Sequence, residues 1–147
     1  MRSQQDRVIS IIVLEAGAGW PEWVAQYHRY RPDTIVEAQP PGEEPMDFAK
    51  RVGRRVDELT GRGQLKFAVL VSNGSPEARA AEGRYRIGRA MTNAMAAQGK
   101  AELIITTGLK DENVRHELFA LAGTLCDDLK GTELSVKVRF SRPPSGS

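Results

Sequence analysis

Cysteine is nearly absent from this chain: Cys126 is the only one in 147 residues. One thiol closes no internal disulfide, so nothing in the sequence calls for an oxidising compartment. Only His28 and His116 stand beside it as soft donors, and no metal site is expected from so few. Long apolar runs are missing as well; none approaches the ~18 residues that a membrane-spanning helix needs. The first seven residues are polar, and the apolar run after them is interrupted by Glu15 with no small-residue cleavage site. That pattern argues against a signal peptide, so the expected location is cytoplasmic. Charge of one sign is lacking too: 21 basic residues face 19 acidic ones, a formal net charge of +2. Domains with general affinity for nucleic acid usually run heavily basic, so nucleic acid is not the expected partner.

What is present reads as a folded globular protein. Apolar residues make up 40% and charged residues 27% of the chain, ordinary values for a chain that buries a core. The length suits one α/β domain over residues 1–140, followed by a flexible tail at 141–147 with nothing to bury. Two runs dominate the hydrophobic pattern: 8–14 (VISIIVL) and 67–71 (FAVLV). Neither alternates cleanly, as expected of central strands covered on both faces. Residues 34–38 form a short second strand candidate, and 101–107 a fourth. The fifth, 134–140 (LSVKVRF), alternates strictly and carries Lys137 and Arg139 outward, the pattern of an edge strand.

Helical segments fall between these runs. One starts at Pro21 and turns Val24 and Tyr27 inward. The next spans about 45–59, with Met46, Ala49, Val52, Val56 and Leu59 on one stripe and Gly61 as its stop. A third lies between Pro76 and Gln98 with Ser75 as the expected cap. A fourth opens at Asp111, lines up Val114, Leu118, Leu121, Ala122, Leu125 and Leu129, and ends by Gly131. The order β-α-β-α-β-α-β-α-β implies a mostly parallel, doubly wound sheet in three layers. Of two strand orders, the flavodoxin-like 2-1-3-4-5 is preferred over the Rossmann-like 3-2-1-4-5. It puts the apolar third strand inside and the short, Glu37-bearing second strand at an edge.

In that order a ligand crevice is expected beyond the carboxyl ends of the first and third strands, where strand order reverses. Its lips are Glu15, Gly17, Gly19 and Trp20 on one side and Ser72, Asn73, Gly74 and Ser75 on the other, with Thr106 and Thr107 next door. Glycines and small hydroxyls let backbone amides approach an anion, although ordinary strand-to-helix turns want the same residues. The established nucleotide motifs are missing. There is no G-x-x-x-x-G-K-[ST], and Glu22 stands where a dinucleotide fingerprint has its third glycine. No G-x-S-x-G elbow occurs. Asn73 occupies the third-strand exit where a phospho-acceptor acid would stand. No motif singles out a family, a cofactor or a catalytic group.

The residues therefore point to a small binding or interaction module for a small anionic or nucleotide-like ligand. The alternatives are a small-molecule hydrolase or transferase with Glu15 as acid or base, and a nucleic-acid-associated protein using an arginine stripe. That stripe (Arg79, Arg86 and Arg89 with Glu82 and Asn93) faces outward on the third helix. Arg84 is the anomaly, since a helical wheel puts it on the apolar side with Ala81, Tyr85, Gly88, Met91 and Met95. A charge there must pair with an acid, snorkel or meet a partner. Gly83 and Gly88 weaken this helix and suggest a break after Ala81. His28 and His116 read as surface residues, Cys126 as a small core residue, and Trp20 and Trp23 as packing for the first helix. A homodimer is expected, with Phe119 and Cys126 on the fourth helix, or Tyr85 and Met91 beside Arg84 on the third, at its interface.

Overall fold

The computed structural model describes residues 7–140; the tail at 141–147 lies outside them. Five strands alternate with four helices: β1 (Val8–Leu14), α1 (Glu22–Tyr30), β2 (Ile35–Ala38), α2 (Pro45–Thr60), β3 (Gln64–Val71), α3 (Ala78–Ala96), β4 (Ala101–Thr106), α4 (Glu112–Asp127) and β5 (Leu134–Val138). Every adjacent strand pair is parallel and the order is 2-1-3-4-5. The apolarity argument for the strand order therefore holds, because β1 and β3 need cover on both faces and only interior positions supply it. In β1, Ile11, Ile12 and Val13 are all fully buried, and so are Ala68 to Val71 in β3.

The two faces of the sheet are covered unequally. On one, α2, α3 and α4 bury Ile9, Ile11, Val13, Ala68, Leu70, Leu103 and Ile105 in the main core. On the other, among the described residues, only α1 packs, closing Ile12, Val69 and Val71 beneath Val24. The strand register places Glu102, Ser135 and Lys137 on this second face beyond the reach of α1. Their polarity explains how that half of the face meets water, and Lys137 Nζ lies 3.5 Å from Glu102. Tyr27 of α1 stacks on Phe67 with ring centroids 4.9 Å apart, and its hydroxyl donates to Ser10 Oγ at 3.1 Å. Arg139 crosses over the Trp23 ring at 4.3 Å. Trp23 thus packs α1 onto the sheet as expected, whereas Trp20 stays 43% exposed.

Four local expectations fail for identifiable reasons. α3 runs unbroken from Ala78 to Ala96, because its glycines are contact points with neighbouring helices. A Cβ on Gly83 would lie 2.9 Å from the Pro45 carbonyl oxygen of α2, and one on Gly88 would lie 2.8 Å from Leu125 of α4. Ser75 does not cap α3; the N-cap is Glu77 with no side-chain bond, and the Ser75 hydroxyl accepts the Glu77 N–H ahead of the helix. In α2 the buried aromatic is Phe48, with Met46 only half-buried, since α3 covers one side of α2 as well as the sheet. Cys126 is exposed, its Sγ 3.8 Å from the Val136 carbonyl beside β5, instead of lying in the core. The fourth helix otherwise matches its sequence: Asp111 caps it by accepting from Asn113 N at 2.8 Å.

Candidate functional site

Parallel strands deliver their carboxyl ends to one end of the sheet, and here those ends are tied together by backbone first. Glu15 N donates to Val71 O at 2.9 Å, Ser72 N to Thr106 O at 2.8 Å, and Gln39 N to Leu14 O at 2.8 Å. The side chains of the first two exits then meet across the strand-order reversal. Glu15 ends up 6% exposed and Arg84, from the second turn of α3, only 3%. Arg84 Nε donates to Glu15 Oε1 at 2.9 Å, between residues 69 apart in sequence. Its two terminal nitrogens donate to Ser75 O at 3.2 Å and Asn73 Oδ1 at 3.1 Å.

Asn73 completes the network. Its backbone N–H reaches Glu15 Oε1 at 3.2 Å and its Nδ2 donates to Ala16 O at 2.9 Å. Its Oδ1 also accepts from Ser75 N at 2.8 Å, closing a turn. An amide serves here because it donates and accepts at once, and a carboxylate would face Glu15 with like charge. Burying a guanidinium is tolerable only when it is hydrogen-bonded and an anion lies alongside; here each of its three nitrogens donates a bond and Glu15 is the anion. The misplaced Arg84 thus finds its acid within its own chain.

The expected site residues therefore fall into four groups. Glu15, Asn73 and Ser75 converge on Arg84. Ser72 and Gly74 shape the same loop: Gly74 N donates to the buried Ser72 Oγ at 3.0 Å, and Gly74 takes φ +65° with Val114 of α4 pressed against it. Gly19 belongs to a separate contact with the β4 exit. Gly108 N donates to Ala18 O at 2.9 Å, and a Cβ on Gly108 would lie 2.7 Å from the Gly19 carbonyl carbon. Thr107 Oγ1 accepts from Leu109 N at 3.1 Å, while Thr106 is fully buried and its Oγ1 has no partner among the described residues. Gly17 (φ +73°) faces open space, and Trp20 stands apart, tilted against His28 at 6.1 Å.

A second arginine holds the β2 exit. Arg51 of α2 donates to Glu37 Oε2 at 2.8 Å, to Glu43 Oε1 at 2.8 Å and to Ala38 O at 2.9 Å. The hydrogen bonds it donates to the Glu43 carboxylate raise the Arg51 pKa above its ordinary value. Gln39, in the same loop, accepts from Ala16 N at 3.0 Å and so joins this exit to that of β1. Open volume lies elsewhere. A cavity of about 190 Å³ at the opposite end of the sheet is lined by Arg7, Ser10, Arg31, Asp33, Thr34 and Arg62, among others. A shallower groove of about 330 Å³ runs between α2 and α3. Among the described residues no three His, Cys, Asp or Glu side chains group as a metal site would require, and no helix is long and apolar enough to cross a membrane.

Fold and site together define an α/β doubly wound domain whose strand-order reversal is locked by a buried arginine. No family model, curated protein or solved structure matches the chain.

Proposed function

We propose that this protein is a binding module without a catalytic centre of its own, which takes a small anionic or nucleotide-like ligand at the rim formed by the strand-exit loops. The observation that carries this reading is the state of Glu15. Its Oε1 already accepts from Arg84 and from Asn73 N–H, and the side chain is nearly all buried. A general base must reach the proton it removes, whereas the Glu15 side chain is buried and its Oε1 is engaged in positioning the loops. What remains open at the rim is backbone and one aromatic: Gly17 at positive φ, the first turn of α1 with no side-chain cap, and the exposed Trp20. Free amides with an adjacent flat ring suit an anion attached to a planar group.

Trp20 supplies the readout. Titration with inorganic phosphate, AMP and a small dicarboxylate should give saturable quenching with at least one of them. Trp20→Phe should remove most of the signal while the thermal midpoint stays put. Absence of saturable binding across that panel by fluorescence and calorimetry would reject the reading. A cytoplasmic location is consistent with a lone cysteine that needs no oxidising surroundings.

The exposed Phe119 favours a second reading, self-association. It is 57% exposed and stands edge-on to Phe140 at 5.7 Å, with Arg115 over the Phe140 ring at 4.5 Å. We propose a homodimer through α4 and the free edge of β5, where Cys126 is also exposed. Met91 is fully buried and Arg84 is paired internally, so α3 offers little to such a contact beyond Tyr85. Light scattering should give twice the chain mass at micromolar concentration, falling to one chain in Phe119→Glu.

A further inference from the structure

We infer that the groove between α2 and α3 is a binding site for a single strand of nucleic acid. The near-balance of total charge conceals a local excess. Lys50 stands on the α2 wall, and Arg86 and Arg89 on the α3 wall, with Tyr85 and Asn93 between and beside them. Arg86 and Arg89, three residues apart, share one face of their helix, so a backbone lying in the groove meets cations from both sides.

The acids nearby do not cancel this. Arg86 pairs with Glu82 at 3.2 Å and Arg89 with Asp128 at 3.1 Å, but each pair is at least about one-third exposed. Exposed pairs of this kind are worth about 0–1 kcal/mol, so a phosphodiester can displace the carboxylates and gain by releasing its own counterions.

The lining also selects among polyanions. Its apolar residues are Ala49 and Ala90, which leave no pocket for the large anchors by which an amphipathic helix docks. Tyr85, 37% exposed, offers instead a flat ring of the kind on which bases stack, with the Asn93 amide able to donate and accept at a base edge. Cations on both walls give the backbone of one strand a seat, with a base set on the Tyr85 ring. This site lies away from the strand-exit rim and does not depend on it.

Fluorescence anisotropy with a labelled oligothymidylate of about 12 nucleotides, within the usual site size for single-strand binders, tests the inference. Binding should be measurable at low salt. With three phosphates engaged, log K should fall against log[salt] with a slope of about −2. Lys50→Gln/Arg86→Gln/Arg89→Gln should flatten that slope and weaken binding at least about tenfold. Tyr85→Ala should weaken it about five- to fiftyfold with the slope unchanged, because stacking releases no counterions. Circular dichroism melts of both variants should match the parent, since all four side chains lie at the surface. The inference is overturned by no binding at low salt, by a triple variant that binds as the parent does, or by tighter binding to duplex than to single strand. It is also overturned if Tyr85→Ala has no effect and heparin binds equally well, which would mark a generic basic surface.

Discussion

Two arginines hold strand-exit loops in this protein, and they do it in different surroundings. Arg84 secures the β3 exit from inside, 3% exposed, with a carboxylate, a side-chain amide and a backbone carbonyl around it. Arg51 secures the β2 exit from outside, 33% exposed, with two carboxylates and a backbone carbonyl. Their bond lengths are similar, so geometry does not rank them. The surroundings do. Water can replace every partner of Arg51, while Arg84 removed would leave the buried Glu15 carboxylate without its counter-charge. The difference teaches that an arginine's worth here is set by what its loss strands, not by how many bonds it makes.

Arg84→Met should produce the largest effect, a loss of about 3–5 kcal/mol in chemical denaturation. Adding Glu15→Leu should recover much of that loss, because the stranded carboxylate goes with its partner; a fully additive double variant would show that the two do not act as a pair. Next comes Gly74→Ala, in the loop that Arg84 anchors. The new methyl would sit 2.5 Å from Val114 Cγ1 and 2.8 Å from its Cα at a positive φ. Strain and overpacking together should cost about 2–4 kcal/mol, so a melting temperature like that of the parent would mean the loop and α4 give way easily.

Gly17→Ala sharpens the point, for Gly17 shares the positive φ but has nothing within 4 Å. Only the conformational term remains, about 1–2 kcal/mol. Arg51→Met should be smallest, about 0.5–1 kcal/mol. Its pKa is raised on folding. The stabilisation linked to that shift is therefore complete below the ordinary arginine value and is lost only as strongly alkaline pH passes it. From the arginine side, the difference between parent and variant should thus stay constant from neutral pH to about pH 10; a change across that window would point to another titrating group.

Much of this arrangement could be read from the residues, and the missing part has a physical reason. Strand order followed from apolarity, because a strand such as 67–71 has no polar face to give to water. Glu15 and Asn73 were identifiable as neighbours once β1 and β3 were adjacent. Arg84 stood out as a charge on the wrong side of its helix, yet its partner lay 69 residues away. Finding it required both the strand order and the wheel position of α3, used together. The roles of Gly83 and Gly88 were hidden because propensity describes an isolated helix, and what keeps glycine there is the approach of α2 and α4. Cys126 misled because its neighbour Leu125 is buried, and one step along a helix turns a side chain by about 100°.

The contact between Gly19 and Gly108 carries a consequence for how such a chain can change length. The loop after β1 is joined to the β2 exit by Ala16 and Gln39, to the β3 exit by Glu15 and Asn73, and to the β4 exit through Ala18 and Gly108. An inserted residue between 15 and 18 would shift these joints relative to one another. At the other end of the sheet, the turn at Lys130–Thr132 is exposed, and Gly131 at φ +87° has nothing within 4 Å. Growth by insertion, and the grafting of new segments, is therefore open at the turn between α4 and β5 and closed at the hub where the exits meet.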